Sequence, residues 1–220
     1  MQVIGKHLSA KFFNEKLNNK NSLVVDMRNY YESEVGHFEN AIIPDVDTSR
    51  DLLPEVKKLL KGHEEDEILL YCTGGIRCEK ASSYLMKSGF QNVNQLKGGI
   101  IQYARDIKNE GLESKFIGKN FVFDARLSER VTEDILSFCH QCGATADQHL
   151  DCGNDACHIL FIQCEKCNLK YEGCCSEECQ GFARLPIEEQ RVLRKDPKKI
   201  VSKARYSNRV KPKLNKLDHL

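Results

Sequence analysis

The sequence predicts an α/β fold: a parallel sheet with helices on both faces, followed by a small cysteine-rich module and a flexible basic tail. Three observations point there. Apolar runs of strand length alternate with helical patterns up to about Lys115, the pattern of a sheet covered on both sides. Nine of the eleven cysteines fall between Cys139 and Cys179. From Arg191 onward eleven Lys and Arg stand against two Asp, so this tail carries +9 and the body before it −8, within a formal total of +1. The expected organisation is a sheet domain over 1–115, a connector over 116–138, the cysteine-rich module over 139–185 and a helix with the basic tail over 186–220.

Each element has its own signal. Ser9 suits the N-cap of a helix over Ala10–Leu17, with Phe12, Phe13 and Leu17 on one face. Ser22–Asp26 is a β-branched run of strand length, and Leu52–Leu60 after Asp51 reads as an amphipathic helix. Glu67–Tyr71 is a second buried strand running straight into Cys72. Cys78–Ser88 has helical periodicity ended by Gly89, Asn92–Leu96 is a third strand, and a helix over Ile100–Lys108 follows Gly98-Gly99. Phe116–Asp124 has strand character, and Val131–Phe138 reads as a short helix. Residues 139–179 show too little periodicity for an ordinary core, with Ile159–Ile162 their one apolar strand. Pro186–Lys195 begins like a helix, with Pro in its first turn and acidic residues beside it.

The N-terminal stretch has no apolar run of signal-peptide length, and no segment approaches the roughly 20 apolar residues of a membrane helix. This excludes a membrane role and implies a cytoplasmic chain whose thiols stay reduced. Eleven is also an odd number for a closed set of disulfides. Metal binding and thiol chemistry are the remaining uses for so many cysteines.

Cys72 carries the thiol chemistry. It ends a strand, and Thr73, Gly74, Gly75, Ile76 and Arg77 lead into a helix. The glycines let the loop curl with amides pointing inward, and the helix start adds positive potential; both favour thiolate over thiol. Arg77 suits either holding an anionic group or bracing the loop. Only four residues separate Cys72 from Arg77, one fewer than in the Cys-x5-Arg loop of phosphatases, which favours a smaller cargo than phosphate. Cys78 is either a resolving or relaying thiol or a small residue packing the helix start. Asp26 and Arg28, after the first strand, are candidate supports.

The cysteine-rich module has Cys139 and Cys142, then Cys152 and Cys157, Cys164 and Cys167, and Cys174, Cys175 and Cys179. Two Cys-x2-Cys pairs 21 residues apart come close to a zinc-ribbon spacing. Nine cysteines make two sets of four with one spare. One partition takes Cys139, Cys142, Cys164 and Cys167, leaving Cys152, Cys157, Cys174 or Cys175, and Cys179; an interleaved cross-brace is equally allowed. Structural zinc is the leading reading, since a piece this small lacks the core to fold by burial alone. Iron and disulfides are the alternatives, and His140, His149 and His158 are either substitute ligands or, as the preferred reading, non-ligand surface residues. The module is read as a scaffold, with RNA contact as an added role. The tail suits a phosphate backbone, with Arg194, Lys195, Lys198, Lys199, Lys203 and Arg205 as candidate RNA contacts; the alternative is a solubilising tail.

A resemblance adds to this. Cys72-Thr73-Gly74-Gly75-Ile76-Arg77 resembles the Cys-x-x-Gly-x-Arg loop of rhodanese domains. Asp26-Met27-Arg28, the stretch from Glu32 to Ala41 and Leu96-Lys97-Gly98-Gly99 resemble further marks of that family, with Glu39-Asn40 departing from its usual Pro-Gly. The runs at Val24–Asn29, Glu34–Ile42, Tyr71–Ala81, Phe116–Asp124, Cys139–Ala144 and Gly173–Cys179 together resemble the bacterial rhodanese-related tRNA uridine hydroxylases, from about Gly5 to about Pro186. That resemblance implies a rhodanese-like sheet, tRNA as partner, molecular oxygen as co-substrate, hydroxylation of the wobble uridine at position 5, and Cys72 as the catalytic cysteine. It also implies an N-terminal α+β domain ahead of the rhodanese part, which this sequence does not include.

Hydroxylation with oxygen calls for a flavin or redox metal. The sequence has no Gly-x-Gly-x-x-Gly fingerprint and no evident two-His-one-carboxylate set, so the redox cofactor stays open. The alternative functions are a sulfurtransferase carrying a persulfide on Cys72 and a non-catalytic zinc protein that binds RNA. Protein partners are not indicated.

Overall fold

The computed structural model describes residues 4–19, 21–46 and 48–195. The chain divides into two compact units, the first ending at Asp134 and the second beginning at Ile135.

In the first unit, β1 (Lys6–Leu8), β5 (Asn92–Leu96), β4 (Glu67–Tyr71) and β2 (Ser22–Asp26) lie in that order as a wholly parallel sheet. Alternation along the central strands sends side chains to opposite faces. Val25, Ile68 and Leu70 pack with Leu52 and Val56 of α3 (Ser49–Leu59) and with Ala81 and Leu85 of α4 (Ile76–Lys87). Val24, Leu69 and Tyr71 pack with Phe13 of α1 (Ala10–Leu17) and with Ile100 and Tyr103 of α5 (Gly99–Glu110). The expected parallel sheet with helices on both faces is therefore present.

Ser9 caps α1 by accepting a bond from the Phe12 amide, as its position predicted. Helix α3 starts earlier than Asp51, at Ser49, because Thr48 supplies the cap. A one-turn α2 (Tyr30–Ser33) and the short β3 (Gly36–Phe38) intervene after β2. Strand β6 (Phe116–Phe121) lies between β3 and β7 (Ser128–Arg130) in an antiparallel sheet. The predicted helix over Val131–Phe138 does not form. The Val131 and Thr132 amides both donate to the Gly118 carbonyl, and the Thr132 hydroxyl accepts from the Gly118 amide, which holds this segment to β6.

The second unit holds an antiparallel pair, β8 (His149–Asp151) and β9 (Leu160–Ile162), then α6 (Glu165–Tyr171), α7 (Glu177–Ala183) and α8 (Ile187–Lys195). Its core sets Ile159 and Phe161 against five buried cysteines. Helices α6 and α7 carry no aliphatic stripe the sequence could reveal. Both start on a cysteine-bearing turn: Cys164 is the N-cap of α6, and Cys175 directly precedes Ser176, the N-cap of α7. No helix among the described residues is long and apolar enough to cross a membrane.

Candidate active site and metal centres

Strand β4 delivers Cys72 to the C-terminal edge of the parallel sheet, where α/β folds gather their ligands. The side chain is 1% exposed and faces a pocket of about 400 Å3. The loop reverses through Gly75, whose φ of +90° suits glycine and starts α4. The Gly75 amide donates to Cys72 Sγ at 3.1 Å. Cys72 is pulled down to about 6, chiefly because the Cys78 thiol donates a hydrogen bond to its sulfur. The Arg77 charge and the backbone amides of Cys78 and Arg77 act in the same direction, against the cost of burial. Cys72 is therefore largely thiolate at neutral pH. Burial, and then the thiolate beside it, push Cys78 well above its usual range, so Cys78 keeps its proton and serves as a donor.

The loop is held from two sides. Beneath it, the first turn of α5 approaches so closely that the Ile100 and Ile101 amides donate to the carbonyls of Cys72 and Thr73, at 3.0 and 3.1 Å. Gly99 permits this approach: its φ is +64°, and a Cβ there would lie 2.5 Å from the Cys72 carbonyl oxygen. Beside the loop stands Glu32, fully buried, which accepts from Arg77 Nη1 at 2.6 Å and Nη2 at 2.7 Å and from the Thr73 hydroxyl at 3.2 Å. Its Oε1 also accepts the Asn29 amide, closing a capping box on α2. Of the two roles expected for Arg77, the geometry shows bracing. Glu32 is the site residue that sequence reasoning did not single out; its only signal was its place at the head of a family-like stretch.

Asp26 and Arg28 lie deeper, both fully buried in a bidentate pair at 2.6–3.1 Å. Arg28 also donates to the Gly36 carbonyl at 2.6 Å and sits 5.7 Å from the ring centres of Tyr71 and Phe116. They stiffen the segment after β2 and do not line the pocket. Its rim is apolar: Ile76 is 77% exposed and Phe123 66% exposed, with the Arg77 guanidinium 5.9 Å from the Phe123 ring centre.

In the second unit, the sulfurs of Cys139, Cys142, Cys164 and Cys167 lie within 4.8 Å of one another, as do those of Cys152, Cys157, Cys175 and Cys179. Each set could hold a metal ion. A tetrahedral ion with metal–sulfur bonds of about 2.3 Å puts its ligand sulfurs roughly 3.8 Å apart. The spacings Cys142–Cys164 at 3.6 Å, Cys157–Cys175 at 3.7 Å and Cys175–Cys179 at 3.6 Å fit that geometry. The two sets alternate along the chain: Cys139 and Cys142 join Cys164 and Cys167 across Cys152 and Cys157, which join Cys175 and Cys179, the interleaved order of a cross-brace. Cys174, expected as a ligand alternative to Cys175, falls outside both groups: its sulfur points to the Glu172 carbonyl at the end of α6. His140 accepts from the Ile162 amide and belongs to neither group. Asn154 donates to Cys179 Sγ at 3.4 Å, the kind of outer contact that fixes a thiolate ligand. Arg194 donates to Asp155 and Gln190, and Lys195 is exposed. Lys198, Lys199, Lys203 and Arg205 lie outside the described residues.

Residues 9–106 match the family described as "Rhodanese-like domain", and residues 117–180 the one described as "Rhodanase C-terminal". Together these two matched regions take in most of the chain and both units. Curated relatives named tRNA uridine(34) hydroxylase include those of Leptospira interrogans, 54% identical over 217 residues, and Photorhabdus laumondii, 51% over 205. These alignments take in 98% and 92% of this chain but 59% and 58% of the relatives, so the chain spans less than two thirds of their length. Among solved structures, the rhodanese-like domain of an Anabaena sp. protein is 21% identical, with a TM-score of 0.41 over 56% of this chain and 84% of that one. The loop Cys72–Arg77, with Gly98-Gly99 packed beneath it, lies within the region matched to the rhodanese-like domain.

Proposed function

We propose that this chain is the rhodanese-bearing part of a cytoplasmic tRNA-modifying oxidoreductase that hydroxylates the wobble uridine of tRNA at position 5, with molecular oxygen as co-substrate. The observation that carries this reading is the identity of 54% over 217 residues to a protein named tRNA uridine(34) hydroxylase, spanning both units. The site supports it chemically. An RNA base reaches a recessed nucleophile only when unstacked, and exposed aromatic rings hold such bases by stacking. Phe123 stands exposed on the rim of the pocket that Cys72 faces. The Cys72 thiolate is suited to add at C6 of the uracil ring, which moves the electron pair of the C5–C6 double bond toward C5, the carbon to be hydroxylated. Glu32 and Arg77 keep the loop in shape for this. Nucleoside mass spectrometry of tRNA from cells lacking the gene tests the reading. Loss of 5-hydroxyuridine derivatives, not restored by a Cys72→Ser copy, is expected; normal modification in the deletion strain sinks it.

Each four-cysteine set holds one structural zinc ion in this reading. The support is the tight sulfur spacing, which suits a single tetrahedral ion rather than a cluster whose ligands are shared among several irons. Zinc supplies no chemistry to the reaction here; it supplies the free energy that a small, cysteine-dense core lacks.

The amide-lined Cys72 thiolate also favours a second reading, a sulfurtransferase carrying a persulfide, because the same donors would stabilise a terminal persulfide sulfur. Incubation with thiosulfate should then add one sulfur mass at Cys72, followed by turnover with cyanide; absence of the adduct argues against it.

A further inference from the structure

Among the runs that carry the family likeness, the stretch from Phe116 to Asp124 has Asn120 at its centre, and nothing in the Cys72 site uses it. Asn120 is 1% exposed, yet neither its Nδ2 nor its Oδ1 has a hydrogen-bond partner. A buried amide with both halves unpaired is costly and rare, and a native fold that keeps one points to a partner that binds there. Asn120 lines a pocket of about 430 Å3, separate from the Cys72 pocket. Arg105 and Lys108 of α5 and Arg130 of β7 bring three cations to it, and Glu129 brings one carboxylate. The side chains of Arg105 and Lys108 are exposed and enter no ion pair among the described residues. Glu129 is bonded to Arg126, outside the pocket. Ile101, Ala104 and Val131 supply its apolar lining.

The combination selects a ligand class. An unpaired donor and acceptor side by side match the edge of a nucleobase, as Asn pairs with adenine and as an amide pairs with the N3–O4 edge of uracil. Cations at the mouth match phosphate. Apolar side chains suit the face of a base. The place in the fold ties this pocket to the site: Ile101 lines it and also donates to Thr73 of the catalytic loop, and Arg105 and Lys108 follow at one and two turns along α5. We infer that this pocket binds a second nucleotide of the RNA substrate, its base edge on Asn120 and its phosphate on Arg105, Lys108 and Arg130. This rests on the tRNA reading of the Cys72 site.

The test is equilibrium binding of an unmodified tRNA transcript to the 220-residue chain across a salt series. The Arg105→Ala/Lys108→Ala chain should bind at least tenfold more weakly, with a salt slope smaller by about 0.7, the amount lost with one single-strand phosphate contact. Asn120→Leu, close in shape, should bind at least threefold more weakly while its thermal midpoint stays level or rises, because an unpaired amide has been removed from the interior. A merely structural Asn120 would instead lower the midpoint. Unchanged affinity and slope in these variants overturn the inference, as does a wild-type chain that fails to bind the transcript. Tight binding of uridine or adenosine 5′-monophosphate without loss of tRNA affinity in the variants would mark a free-nucleotide site and also overturn it. The hydroxylation reading is judged separately, by the nucleoside analysis of the deletion strain.

Discussion

Arg77 grips the buried carboxylate of Glu32 with both terminal nitrogens, at 2.6 and 2.7 Å, so the last residue of the Cys72 loop is fastened to α2, which follows β2. Both partners are largely withdrawn from water, Glu32 wholly so. Removing one member of such a pair leaves a charge buried without compensation, which costs about 3–5 kcal/mol. Arg77→Ala and Glu32→Ala should each destabilise the first unit by that order, read as a shift in urea midpoint at constant m-value. Arg77→Lys should recover only part of the loss, since an ammonium cannot serve both carboxylate oxygens. Full stability in Arg77→Ala would show that the pair does not brace the loop.

The Cys72 thiolate predicts a pH profile. Its rate of alkylation by iodoacetamide should rise through an inflection near pH 6 in the native protein and nearer 9 in urea. The same shift links stability to pH. A thiol whose folded pKa lies below its unfolded value stabilises the fold fully above the unfolded value. That contribution shrinks as pH falls from about 9 and is gone once pH drops through about 6. An alkylation profile that rises only above pH 8 in the native protein would contradict the hydrogen bonding described.

Cys78 is the largest favourable contributor to that thiolate. A hydrogen bond to a charged group is worth about 1.5–3 kcal/mol, and one pKa unit about 1.4 kcal/mol. Cys78→Ala should therefore move the alkylation inflection upward by about one pH unit or more, and Cys78→Ser, which keeps a donor, should move it less. Equal inflections in all three proteins would reduce Cys78 to a packing residue.

The loop itself was legible because its chemistry is contiguous: strand, cysteine, glycines, arginine and helix follow one another within a dozen residues. What supports it was not, because Glu32 and Gly99 reach Cys72 from 40 residues before and 27 after, through a sheet topology that local patterns do not encode. The same limit explains the missing helix over Val131–Phe138. Its local periodicity was outcompeted by bonds from Val131 and Thr132 to Gly118, on a strand that pairs elsewhere. In the cysteine-rich unit the sequence suggested two sets of four with their membership open, and the sulfurs gather in two groups of four that could hold metal. Spacing alone could not choose between the adjacent Cys174 and Cys175; the turn between α6 and α7 does, sending one sulfur to the Glu172 carbonyl and the other into the cluster.

That choice yields a last prediction. Elemental analysis of the purified chain should find two zinc ions per molecule, and Cys174→Ser should still carry two. Cys175→Ser, one position away, should lose one, and so should Cys179→Ser, while Cys142→Ser should lose the other. Because metal binding and folding are coupled in a small thiolate-rich unit, each loss should come with a lower midpoint for the second unit. Retention of two ions in Cys175→Ser with loss in Cys174→Ser would reverse the assignment. The comparison is clean because neighbouring residues receive the same substitution, so a difference between them reports the direction of the sulfur rather than the general cost of removing a buried thiol.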